Sequence, residues 1–377
     1  MVPVALTMAN PITTACTLDL VCLPLVLPAY LQPSFMGKID YHAVAREGAF
    51  STLPPGDLIA DNLSLPNASG NTPLHLAAKY GTLAQLPASL LTAPLLTLKN
   101  DAGYTPIHLA ARSGYLSQVP PALLSRELLL VRTNSGYTPL HLAASAGALD
   151  QIPAGVFSGD LTFTKTDHGN TLLHEAAEAG TLDRFPPDYL TQESLTSPNV
   201  SGETVLHVAV FNGHLDQIPR PFLTTDNLTR KTSNHDTVLH AAAISGHLNQ
   251  IPAEALTPEN LLLPSKSGYT AIHAAAESGY LDQIPRDRLS IDLLLSRNDY
   301  GDTPFHAAAV EGHLDQIPRE FFSRSTLQIR NYNGGTPLGA AIRHGHADQL
   351  PPEFRPKPPS PLRRFLIMIG LSRPPNT

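Results

Sequence analysis

Cysteine is almost absent: Cys16 and Cys22 are the only two in 377 residues, and both precede the first repeated segment. That rules out a disulfide framework or a cysteine-based zinc site for most of the chain. The pair is expected to be unpaired and idle, with a Cys16–Cys22 bridge in an oxidising compartment as the alternative. Tryptophan is missing, charged residues make up only 15%, and the net charge of −7 argues against a nonspecific grip on nucleic acid. Catalytic signatures are missing too. There is no P-loop, no G-x-S-x-G, no glycine-rich dinucleotide turn, no HExxH and no paired-cysteine motif, and the serines and acids lack a partnered base. The expectation is a protein that is not an enzyme and needs no cofactor or metal. Long apolar runs are also lacking. The stretch 20–31 is broken by Pro24 and Pro28, and 365–371 is shorter still, where a span needs about 20 apolar residues. No transmembrane segment is expected.

What the chain has instead is a period. His42, His75, His108, His141, His174, His207, His240, His273 and His306 stand 33 residues apart. A glycine follows each six residues later, from Gly48 to Gly312, and the series continues to Gly345. An apolar-proline pair recurs in step, from Leu53-Pro54 through Ile317-Pro318 to Leu350-Pro351. A strict period of this length means stacked supersecondary units, each packed only on its neighbours, rather than one globular core. Many of the 36 prolines therefore belong to the architecture.

Within a unit, Thr303-Pro304-Phe305-His306 opens a helix. Thr is a strong N-cap, Pro at the first helical position loses no needed hydrogen bond, and His306 falls where a Glu would complete a capping box. One imidazole nitrogen can serve the cap while the other reaches backbone in the adjoining loop. Ala307 and Ala308 allow a close helix neighbour, and Gly312 supplies a left-handed stop. The second half is different. Proline after Asp315-Gln316-Ile317 disfavours helix before it, so a second helix should begin late, at Pro318, and last one or two turns. A short alternating stretch follows, such as Leu63-Ser64-Leu65 or Leu261-Leu262-Leu263, which suggests extended backbone pairing between units. Such a shortened second helix holds helix content to roughly 35–45%.

The pattern G-x-T-P-L-H-x-A-A-x-x-G, as in residues 136–147, resembles the ankyrin repeat, and the resemblance covers residues 39–350. It implies a mainly α, ankyrin-like solenoid of about ten 33-residue units, with a concave face that binds proteins and no catalytic centre. This chain departs from the family by the proline that shortens the second helix and by the short extended Leu-x-Leu segments, which are somewhat similar to leucine-rich repeats. The expected division is a disordered leader over 1–35, or a true start at Met36; the repeat array over 36–352, with atypical capping units at both ends; and a Pro/Arg-rich tail over 353–377. Unit one lacks Thr-Pro, and unit ten carries Gly339 where histidine belongs.

The nine histidines are expected to be structural: units roughly 10 Å apart cannot bring two of them onto one zinc ion. His344, His346 and Asp348 are close enough in sequence to form a weak surface metal site, although His346 simply continues the series His214, His247, His313. A recurring Gln at 85, 118, 151, 217, 250, 283, 316 and 349, replaced by Arg184 in unit five, fits a side-chain ladder or backbone capping, with ligand reading as the alternative. Positions just before Thr, and the two before Gly, vary inside the constant frame, which marks them as solvent-facing. In ankyrin arrays those places line the concave face. The candidate partner-binding residues are Tyr80, Tyr104, Arg112, Tyr137, Phe211, Tyr269 and Glu277, with aromatic anchors leading.

The expected function is a monomeric protein-interaction scaffold or adaptor. The alternative is a spacer or effector whose tail, with five Lys/Arg and one acid over 351–377, docks on a membrane surface or partner. Compartment stays open between the favoured cytoplasm and a secreted effector.

Overall fold

The structure, a computed structural model, describes residues 39–54, 56–153 and 155–356. The expectations for the leader 1–35 and for the tail beyond 356 lie outside the described residues. Unit nine shows how a unit is built. Thr303 caps the lead helix Pro304–Glu311, and its hydroxyl and backbone N–H both meet His306 Nδ1, at 2.9 and 3.1 Å. Gly312 ends the helix at φ +87, its N–H returning to Ala308 O. A helix this short would not persist alone; it is held by burying Phe305, Ala308 and Ala309 against the flanking lead helices.

No second full helix follows. Leu314–Gln316 makes a single 3-10 turn, then Ile317 (φ −81, ψ 126) and Pro318 (φ −55, ψ 136) run extended. A second 3-10 turn, Arg319–Phe321, and a one-turn α-helix, Arg324–Leu327 capped by Ser323, complete the unit. Proline forces the preceding isoleucine out of the α region, as its ring must, so nothing helical bridges 313–321. The expectation that Asp-Gln before proline is non-helical needs correcting, because both residues lie in the first 3-10 turn, which the break at isoleucine still permits. The Leu-x-Leu segments also differ from expectation. Their first leucine closes the one-turn helix, as at Leu63, Leu96 and Leu261, and only the last leucine and its followers leave it; no strand forms among the described residues. The reason is a good local cap: Thr257 or its equivalent accepts the N–H three residues on, and Pro258 favours the first turn. With these turns counted, helix reaches 52% of the described residues, above the expected range.

The units do share a backbone ladder, but it lies in the tight turns ahead of each Thr. Asp101 N–H donates to Ser69 O, Asn134 to Ala102 O, and the series runs on to Tyr332 donating to Tyr300 O at 3.1 Å. Each turn is closed by glycine at positive φ, such as Gly301 at +75; in unit seven His235 takes that place at +64, the one non-glycine with positive φ among the described residues.

Two more kinds of side-chain link join neighbouring units, and they point in opposite directions. Histidine reaches forward: His75 Nε2 donates to Tyr104 O at 3.0 Å and His273 Nε2 to Asp302 O at 3.1 Å. Glutamine reaches back: Gln250 Nε2 donates to Gly213 O at 2.7 Å while its Oε1 accepts from Leu215 N–H at 3.0 Å. The ring after the glycine, where there is one, also faces back. The His247 ring lies so close over Gly213 that a Cβ there would come within 2.8 Å of it. At the ends only the useful half of this set is kept. Unit one has the forward link, His42 Nε2 to Asn71 O at 2.9 Å, but Ala49 and Thr52 in place of ring and glutamine. Unit ten keeps the backward links of His346 and Gln349 and has Gly339 in place of the histidine.

Candidate interaction surface

Each lead helix packs on the lead helices before and after it, on its own 3-10 turn and on a neighbouring one-turn helix. Its remaining face carries the variable positions. Some of these positions meet: Tyr269 Oη donates to the Glu277 carboxylate in its own unit, and Tyr137 lies beside Glu175 and Glu178 of the next.

The structure separates the sequence candidates into two groups. Tyr80 (45% exposed), Phe211 (36%), Arg112 and Glu277 stand open on this face. Tyr104, Tyr137 and Tyr269 are half-buried, each ring packed against the cap histidine of its own unit, at 5.8 Å for Tyr104–His108, 6.0 Å for Tyr137–His141 and 5.1 Å for Tyr269–His273. These three present an edge rather than a whole ring. The seven are strung across units two to eight and do not converge on a pocket. Sequence reasoning missed Ile244 on the same face and the turn-tip residues Val200, Tyr300 and Tyr332, which are 72%, 58% and 72% exposed. The available signal was an apolar side chain at turn positions otherwise held by small polar residues.

Glu175 was missed as well. It occupies a position filled by Leu, Val or Ala in other units and is only 7% exposed. Burial pushes its carboxyl up to about 7, partly countered by hydrogen bonds from Asn170 Nδ2 (3.1 Å) and Tyr137, while Glu178 adds repulsion. Burial, with these nearby carboxylates, also raises the Tyr137 phenol.

The structural histidines are sealed in the stack. His108, His141, His174, His207, His240 and His273 are pulled down to about 4, chiefly by burial; His75 and His306 shift the same way. Their hydrogen bonds fix the tautomer. Nδ1 accepts the Thr N–H, so Nε2 must carry the proton it donates to the next unit. Such a ring has no open lone pair for a metal. No group of three His, Cys, Asp or Glu with metal-holding geometry occurs among the described residues, including His344, His346 and Asp348. The glutamine row caps backbone, which uses both ends of its amide. Shallow grooves of about 370 and 330 Å³ lie between successive 3-10 turns, the first lined by Asp216, Gln217, Pro219 and Arg220.

The ankyrin repeat family model matches residues 69–86. The match takes in one turn, one lead helix and the first 3-10 turn, and stops at Leu86, ahead of Pro87. No curated protein matches the chain. Nine further units place the same capped lead helix in the same stack, so the chain is an ankyrin-like solenoid in architecture. Ankyrin repeats generally mediate protein–protein interaction and are typically non-catalytic.

Proposed function

We propose that this chain is a non-catalytic protein-interaction scaffold that receives a partner protein across the exposed face of its lead helices, the face that the ankyrin likeness makes concave. One observation carries the reading. The frame residues Thr, His, Gly and Gln are consumed in capping and stacking, while Tyr80, Arg112, Phe211 and Glu277, at positions that vary, stay exposed. Aromatic and arginine side chains on a rigid frame are the usual anchors of an interface, because little entropy is lost when they are covered. The ends kept for one-sided stacking support an array of ten units, with units one and ten as its caps. The variant second half, two 3-10 turns around a proline, belongs to this reading as an ankyrin unit whose second helix has been cut into turns.

The test is recovery of a stoichiometric partner on the immobilised full-length chain. A Tyr80→Ala/Arg112→Ala/Phe211→Ala variant should lose it, while Asp216→Ala/Asp315→Ala on the 3-10 turns should keep it. Retention by the first variant and loss by the second would move the interface to the other side of the units.

A further inference from the structure

Glu175 closes a circuit of four side chains across the joint between units four and five. Its Oε1 accepts from Asn170 Nδ2 of its own unit at 3.1 Å. The Asn170 carbonyl accepts from His141 Nε2 of unit four at 3.2 Å. The His141 ring packs edge-on against Tyr137, 6.0 Å between centroids, and the Tyr137 phenol returns to the Glu175 carboxyl. A branch runs on to unit six, where Asn199 Nδ2 donates to Asn170 Oδ1 at 3.0 Å and to the Glu203 carboxylate at 2.9 Å. The joint it spans is also the one where Arg184 replaces the backward-facing glutamine.

We propose that this circuit is a proton switch: with Glu175 neutral the carboxyl stays buried and ties unit four to unit five, and with Glu175 ionised it turns out to water and releases Tyr137 and Asn170 together. A neutral carboxyl can keep both contacts, one oxygen accepting from Asn170 while the other, protonated, donates to Tyr137 Oη. An ionised carboxyl in the same place is only 7% exposed and faces Glu178 one turn along its helix. Two neutral donors and no cation offset its loss of water.

The facing acids are Glu178 on its own helix and Glu203 of unit six, linked through the two asparagines. His141, His174 and His207, on the three packed lead helices, are held near 4 and stay neutral between pH 6 and 8. On the 3-10 turns against the Glu175 helix, Asp160 pairs with Arg126 and Asp183 with Arg184. Arg132 and Lys165 of the adjoining turns are engaged by Asp167 and the Pro198 carbonyl. Burial and Glu178 hold the Glu175 carboxyl up at about 7, against an ordinary 4.5 once it is released. The ratio of released to held carboxyl therefore rises about tenfold between pH 6 and 8. Release removes the bridge between the units and adds a negative charge at unit five. Its consequence for partner binding rests on reading the lead-helix face as the interface; the switch itself does not.

The experiment follows the full-length chain, labelled with 13Cδ-glutamate and 15Nδ2-asparagine, from pH 5.5 to 8.5 with no partner present. The Glu175 carboxyl should titrate above pH 6, and the Asn170 and Asn199 side-chain amides should shift with the same midpoint. Glu175→Gln should hold both amides at their low-pH positions throughout. A neutral side chain packs at that place, since Leu142 and Val208 occupy it in the flanking units. Glu178→Gln should lower the common midpoint, because it removes the repulsion that opposes ionisation. Three results overturn the proposal: a Glu175 midpoint below pH 6, a carboxyl that titrates while the amides stay still, or amides that still titrate in Glu175→Gln. The second means ionisation in place, and the third hands control to another acid such as Glu203. Silent amides with partner capture intact sink the switch alone. Shifting amides, with capture indifferent to the face substitutions, sink the scaffold reading alone.

Discussion

Mild acid should unfold this array steeply, because its stacking depends on neutral histidines. Six of them fall from an ordinary 6.5 to about 4 in the folded chain. A folded value below the unfolded one means that between pH 4 and 6.5 the unfolded chain binds more protons. The stability is fully present above 6.5 and is lost as pH falls toward 4. At pH 5.5 each histidine gives up about 1.4 kcal/mol, or roughly 8 kcal/mol for six. Glu175 works the other way. Its carboxyl, raised to about 7, takes up a proton in the folded state first and returns about 2 kcal/mol over the same range. A net loss of about 6 kcal/mol is comparable with the whole stability of many domains. The structural cause is specific. A proton on Nδ1 of His207 would face the Thr204 N–H at 3.2 Å, so the ring must leave its cap to become charged. Urea titrations followed by far-UV circular dichroism at pH 7.5, 6.5 and 5.5 measure the loss. Nitrogen-resolved imidazole spectra should show the Nε2–H tautomer in the folded protein at pH 5.5. A urea midpoint unchanged from 7.5 to 5.5, or imidazolium signals in the folded state there, would refute the reasoning.

Gly213→Ala and Gly114→Ala test the ring contact on matched backbones. Both glycines have positive φ, but a Cβ at Gly213 meets the His247 ring at 2.8 Å while one at Gly114 meets nothing within 4 Å. The first should cost about 1 kcal/mol more than the second, which pays only the left-handed penalty of about 1 kcal/mol, as measured by urea midpoint. His235→Gly should stabilise by about 0.5–1 kcal/mol, since it relieves the positive φ of +64; a lower thermal midpoint would contradict this. Arg184→Gln should gain about 1 kcal/mol by restoring to unit five the backward cap that Gln217 and Gln250 supply elsewhere. Unchanged stability would mean that Arg184 already fills the role.

Much of the unit was legible because its causes are local. Thr-Pro at a helix start, histidine three residues on, glycine at the stop and proline after isoleucine each act within one turn of chain, so their spacing alone set the lead helix and broke the second. Thr257-Pro258 marks a helix start, as the structure has it, but Leu261 reads as extended and instead closes that one-turn helix, because a period of two in leucines cannot be told from the end of a short capped turn. The candidate face was legible as variable positions, but not which side chains remain open. Tyr104, Tyr137 and Tyr269 look equivalent to Tyr80 in sequence, and only their packing on the cap histidines sets them apart.

The sequence by itself determined the period, the helix caps, the breaks and the residues that had to be structural. Tertiary structure decided direction. Histidine pairs with a carbonyl 29 residues ahead, glutamine with one 37 behind, and the turns with each other, and no local rule contains those separations. A buried donor must find an acceptor wherever stacking supplies one. The forward-facing histidine His42 finds Asn71 O in unit two, and the backward-facing glutamine Gln349 finds Gly312 O in unit nine.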